Sequence, residues 1–130
     1  MKEMIYTNNR HFPEQLASGT FLGYNYYVLS LGTHPCAYVE IPKNNKFFGK
    51  DYDDIHIACH GGLTYAGHQL ATADHEGWFI GWDYAHYGDY SGCLPPLLNE
   101  GATQYTTTEM VEDCKQVIMR IEYQCMYEEA

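Results

Sequence analysis

The sequence predicts an α+β domain: a mainly antiparallel sheet of about four to five strands, with one C-terminal amphipathic helix packed on a face. Three observations lead there. Short aromatic and branched runs recur at 21–31, 36–41, 55–59 and 77–83, set apart by glycine, proline and asparagine rather than by helical patterns. Only the segment 106–126 repeats its apolar residues at helical spacing. At 130 residues the chain has material for one core, so residues 1–130 are expected to form a single domain.

Residues 1–20 are polar and read as irregular, with one helical turn near Pro13-Glu14-Gln15-Leu16. The run from Phe21 to Leu31 reads as a strand, Gly32-Thr33-His34-Pro35 as a turn, and Cys36 to Ile41 as the second strand of a hairpin. A loop follows from Pro42 through Asp54. The third expected strand, Ile55 to Cys59, places Ile55, Ile57 and Cys59 on one face and delivers His60 at its end. Residues 61–76, which hold His68, Asp74 and His75, read as loop. In the fourth strand, Gly77 to Asp83, Trp78, Ile80 and Trp82 share one face, and Gly81 and Asp83 share the other. The small Gly81 leaves space for a close approach to the backbone. Residues 84–105 form a long glycine- and proline-punctuated connection. Thr106 and Glu109 then make a capping box, and Met110, Val111, Cys114, Val117, Ile118, Ile121 and Cys125 recur at helical spacing. This helix is read as core-forming, without a catalytic role.

Composition narrows the function. A net charge of −10 with seven Lys and Arg argues against a long nucleic acid as ligand, because such binding needs a basic track. The charge fits plain solubility, an acidic surface that docks on a basic protein, or a small ligand met by a local pocket. No apolar run approaches the roughly 20 residues that span a bilayer, and the first residues lack the apolar stretch of a secretory signal. A soluble, cytoplasmic protein is therefore expected, with oligomeric state left open. Five scattered cysteines without a C-x-x-C pair argue against a thiolate zinc site or disulfide framework. Lys43, Lys46 and Lys50 sit beside Asp51, Asp53 and Asp54, the pattern of a solvated loop.

Two stretches concentrate chemistry: His60-Gly61-Gly62-Leu63-Thr64-Tyr65 and Gly81-Trp82-Asp83-Tyr84-Ala85-His86-Tyr87-Gly88-Asp89. Each crowds histidine, aspartate or glycine where a strand should end, a usual setting for a pocket. His60, Asp83, His86 and Asp89 are the candidate catalytic residues. Imidazole with two carboxylates suits a divalent cation such as Zn²⁺, Mn²⁺ or Mg²⁺ by ligand type. Without metal, His60 or His86 would be the acid or base and Asp83 or Asp89 would fix its tautomer. Asp83 as a simple loop acceptor over a packed His86 is the bland alternative. Gly61 and Gly62 can form an anion seat of backbone N–H groups, with Thr64 adding a hydroxyl, or equally a tight turn. Tyr65, Trp82 and other aromatics could stack a planar ligand, or could be ordinary core and strand residues. His11, His34, His56, His68 and His75 are each read as surface or turn histidines.

These two motifs, with His34-Pro35-Cys36-Ala37-Tyr38-Val39-Glu40-Ile41-Pro42 and the terminal helix, resemble a family of small phage and prophage proteins over residues 21–126. The resemblance implies a phage accessory protein, with counter-defence in the host cytoplasm as the setting by analogy. Two functions compete there. One is a pocket that binds, with or without hydrolysis, a small anionic, nucleotide-type signal at His60, Asp83, His86 and Asp89. The other is a non-catalytic inhibitor whose acidic surface occupies the basic groove of a host defence protein such as a nuclease. A structural accessory without a pocket is the third reading.

Overall fold

The computed structural model describes residues 1–70 and 73–127. Its strands are β1 (Glu14–Phe21), β2 (Tyr24–Ser30), β3 (Pro35–Ile41), β4 (Tyr65–Leu70) and β5 (Ala73–Asp83), and its helix is α1 (Thr107–Tyr127). They form one antiparallel sheet in the order β1-β2-β3-β5-β4, with α1 packed on β1, β2 and β3. The α+β class expected from the sequence is the fold observed.

Register explains which face is the core. Tyr26 and Val28 stand opposite Val39 and Ala37, which in turn stand opposite Ile80 and Trp82. Directly opposed residues share a face, so these six line one surface. Met110, Cys114, Val117, Ile118 and Ile121 of α1 belong to the same buried cluster. The other face carries Tyr27, Tyr38, Phe79 and Tyr65, joined by edge-on ring contacts. The capping box forms as read: Glu109 N–H donates to Thr106 Oγ1 at 3.1 Å and Thr106 N–H to the Glu109 carboxylate at 2.9 Å. No helix of the described residues is long and apolar enough to cross a membrane.

Four sequence expectations are corrected. Residues 14–20 are neither irregular nor helical but belong to β1. A shift of register between Gln15 and Ala17 lets the neighbours Leu16 and Ala17 both turn inward, which hides the period-two signal. The run 21–31 is not one strand, since the chain reverses at Leu22-Gly23, with φ of 50° and 84°. Positive φ at both central residues suits a tight hairpin turn, and it holds Leu22 in a conformation disfavoured for branched side chains by about 1–2 kcal/mol.

The segment 55–59 is no strand and pairs with none among the described residues. Ile55 and Ile57 are buried and His56 and Ala58 exposed, as the alternation predicts. Its carbonyls are met by the helix instead: Arg120 Nη1 donates to Ala58 O at 2.9 Å and Gln124 Nε2 to His56 O at 2.8 Å. Residues 61–76 are largely strand rather than loop, forming β4 and the start of β5. An edge strand such as β4 needs no apolar alternation, so Gly67-His68-Gln69 reads as loop. The side chains of Asp74 and His75 lie outside the described residues. The connection 84–105 is ordered by its own hydrogen bonds: Asn99 Oδ1 accepts from Ser91 N–H and its Nδ2 donates to Ser91 O, while Asp89 bridges Thr103.

Truncating Ile118 to Ala, a fully buried position, is expected to lower unfolding free energy by about 3 kcal/mol. Met119→Ala, 39% exposed on the same helix, should change it by about 0.5 kcal/mol or less. Urea denaturation of the two variants checks the assignment of the helix face.

Candidate functional site

Asp83 closes β5 directly opposite Cys36, and Tyr84 N–H continues the pairing by donating to Pro35 O at 3.0 Å. The chain then leaves the sheet beside the His34 turn. The 55–60 segment, held against α1, ends at the same place. Both sequence motifs therefore converge.

Their four candidate residues form one continuous network. His60 Nε2 and Asp89 Oδ2 are 2.8 Å apart, and the same oxygen accepts the His86 backbone N–H at 3.0 Å. Asp89 is only 6% exposed, so the two bonds satisfy a carboxylate largely withdrawn from water. A carboxylate only accepts, which assigns the His60 proton to Nε2 and leaves Nδ1 as the basic nitrogen. At the far end His86 Nε2 lies 3.2 Å from Asp83 Oδ1. That contact is ion-pair proximity rather than a hydrogen bond, since His86 Nε2 is buried without a hydrogen-bond partner among the described residues. Asp83 Oδ1 also accepts the Ala85 N–H at 3.1 Å, and Oδ2 accepts the Thr64 hydroxyl at a long 3.5 Å.

The His60 ring is fixed by aromatic neighbours. It stacks on Tyr84 at 4.5 Å and 17° and meets Tyr105 edge-on at 4.9 Å. Tyr84 is held in turn: Trp82 Nε1 donates to its hydroxyl at 3.1 Å, and the hydroxyl donates to Asp113 Oδ2 at 2.6 Å. Burial, then the Asp113 bond, pushes the Tyr84 hydroxyl well above its ordinary range, keeping it a donor. Burial likewise pushes the Cys59 thiol up to about 11, which argues against a thiolate nucleophile there.

Three ligand-binding expectations change. Trp82 is 1% exposed and faces α1, so its ring is core and cannot stack a ligand. Gly62 N–H already donates to Cys59 O at 3.1 Å, so it is not free for the two-glycine anion seat. Gly61 instead lies at φ +68°, and a methyl there would run into the His86 ring; its smallness admits the imidazole. Tyr65 lies on the sheet face away from α1, against Tyr38 at 5.8 Å, with its hydroxyl accepting the Gln69 N–H. The space at Gly81 is filled by the Tyr38 ring. Thr64 is attached to the network through Asp83.

A cleft of ≈ 350 Å³ opens between the 55–60 segment and α1, lined by Cys59, His60, Tyr105, Asp113, Gln116 and Arg120 among others. His60 is the one candidate catalytic residue on its wall. Asp113, Gln116 and Arg120 were missed because α1 was read only for its apolar stripe. Their spacing of i, i+3 and i+7 was a legible signal, since such residues share a helix flank. His34 was also passed over. It is half-buried in the field of Asp83, Asp89 and His86, and burial holds it below the ordinary 6.5. Among the described residues no group of three or more His, Cys, Asp or Glu is placed to hold a metal ion, so the divalent-cation reading of the His/Asp set does not fit. No protein-family model matches the sequence, and no curated protein or solved structure matches it either.

Two outcomes test this geometry. Gly61→Ala and Gly62→Ala both place a methyl at positive φ, each at about 1–2 kcal/mol. Only Gly61→Ala should shift the His86 imidazole resonances in NMR spectra. For His34, the unfolded chain binds a proton at a higher pH than the folded chain does. Stability from keeping it neutral is therefore present above 6.5 and lost as pH falls from there toward the lower folded value. His34→Gln should lose less thermal stability than the parent between about pH 7.5 and about pH 5.5.

Proposed function

We propose that the protein binds a small anionic, nucleotide-type ligand in the cleft beside His60 and hydrolyses it by acid–base chemistry. The observation that carries this is the 2.8 Å His60–Asp89 bond at a cleft that also presents Arg120. A buried carboxylate behind one imidazole nitrogen orients the ring and fixes its tautomer, leaving the other nitrogen to accept a proton. In the step envisaged, His60 Nδ1 takes a proton from a water whose oxygen bonds to phosphorus. The ester P–O bond breaks, and its oxygen receives that proton back from the imidazolium. His86 and Asp83 serve as positioning residues, since His86 supplies the second N–H that holds Asp89.

A counter-defence setting in the host cytoplasm belongs to this proposal by analogy alone. The −10 charge favours a second reading, an acidic inhibitor seated on a basic nuclease groove.

Incubation with a panel of nucleotide-type anions, followed by chromatography, separates the cases. Turnover should fall by about 10²-fold or more in His60→Gln, and Asp89→Asn should lower it in the same direction. Intact ligand recovered on heating would reduce the proposal to binding. Turnover that survives His60→Gln would overturn it. Salt-sensitive binding to a nuclease, unchanged in His60→Gln and without any small-molecule binding, would favour the inhibitor.

A further inference from the structure

We infer that the ligand is a monoanionic phosphodiester of mononucleotide size, with its phosphate at Arg120 and its planar base at Tyr105. The inference rests on the His60 cleft being the ligand site, and it sharpens that reading to a substrate class.

Size comes first. At ≈ 350 Å³ the cleft is near the lower end of the range for small-molecule sites, about 300–1,000 Å³. That volume suits one nucleotide unit.

Charge is the sharper filter. The cleft wall carries one guanidinium, Arg120, and one carboxylate, Asp113. Arg120 Nη1 is anchored on Ala58 O at 2.9 Å, which positions the planar fork and leaves its remaining N–H groups for an anion. Asp113 accepts its 2.6 Å bond from the Tyr84 hydroxyl, a neutral donor that leaves the carboxylate charge in place. A ligand with a single negative charge meets Arg120 as its counter-ion. Each additional charge meets Asp113 and a chain of net charge −10, so di- and triphosphates are disfavoured. The remaining wall suits a base: Tyr105 offers an aromatic ring, and the Gln116 amide, whose Nε2 makes a long 3.5 Å bond to Glu112 Oε1, offers its carbonyl oxygen and a second N–H for a base edge.

The same charge pattern bears on turnover. Adding water across one ester bond of a phosphodiester gives a monoester and a hydroxyl. The monoester carries about −1.5 to −2 at neutral pH, against −1 for the diester, by the ionisation typical of phosphomonoesters. Asp113 therefore repels product more than substrate.

Isothermal titration of the full chain with 3′,5′-cyclic AMP, cyclic GMP, cyclic CMP and cyclic UMP tests this, with adenosine, ATP and cyclic di-AMP as comparisons. At least one cyclic mononucleotide should bind at least about tenfold tighter than each comparison ligand, a factor worth about 1.4 kcal/mol. Arg120→Gln should remove that advantage over adenosine, and Arg120→Lys should restore part of it by returning the charge. Asp113→Asn should narrow the discrimination against ATP. Thermal melts show whether the variants fold; the ligand ranking on the unaltered chain stands without them. ATP or cyclic di-AMP binding as tightly as any cyclic mononucleotide, and lost in His60→Gln, would overturn the substrate class while leaving the His60 site in place. No binding of any anion would overturn both.

Discussion

One oxygen, Asp89 Oδ2, accepts both the His60 ring N–H and the His86 backbone N–H. The carboxylate is buried, so neither donor is readily replaced by water, and loss of one would leave a charge poorly compensated in a low-dielectric setting. The two motifs are also joined where Tyr65 pairs with Gly81 and Thr64 N–H donates to Gly81 O at 2.9 Å. Asp89 Oδ2 ties the His60 end of the first motif to the loop of the second. The orientation of His60, the seat of His86 on Gly61 and the course of the loop after β5 all depend on it.

Around that joint, α1 does two separate jobs. Its stripe from Met110 to Ile121 closes the core over β1, β2 and β3. The flank beside the stripe carries Asp113, Gln116, Arg120 and Gln124. Two of these, Arg120 and Gln124, supply the hydrogen bonds that a neighbouring strand would have given to residues 56 and 58. Asp113 reaches His60 through the Tyr84 hydroxyl and the stacked ring. A single helix thus stabilises the sheet, shapes the cleft and indirectly fixes the imidazole.

What the sequence made legible follows from how local each signal is. The helix and its capping box depend on residues three and four apart, and β5 on strict alternation of Trp78, Ile80 and Trp82; both are visible in a short window. Convergence of His60, Asp83, His86 and Asp89 was also legible, because polar groups cluster at the ends of apolar runs. Failures came where pairing rather than pattern decides. β1 and β4 are edge strands of weak composition, defined by their neighbours. Residues 55–59 have the pattern of a strand but lack a partner. Trp82 could not be separated from a stacking residue without knowing which face α1 covers, and Arg120 could not be tied to the site without knowing what its flank touches.

The helix has one more attachment. Thr107 Oγ1 donates to Lys2 O, and Thr107 N–H to the Glu3 carboxylate, so the start of the helix clasps residues 2 and 3. Contacts across 104 and 105 positions of sequence close late, because the loop between them must first be ordered. The sheet can begin to assemble as the chain leaves the ribosome, but the 55–60 segment has its carbonyl partners only once Arg120 and Gln124 have been made. The cleft therefore comes into being only once the helix has been made, and a chain cut short before the helix carries His60 without a pocket to hold it.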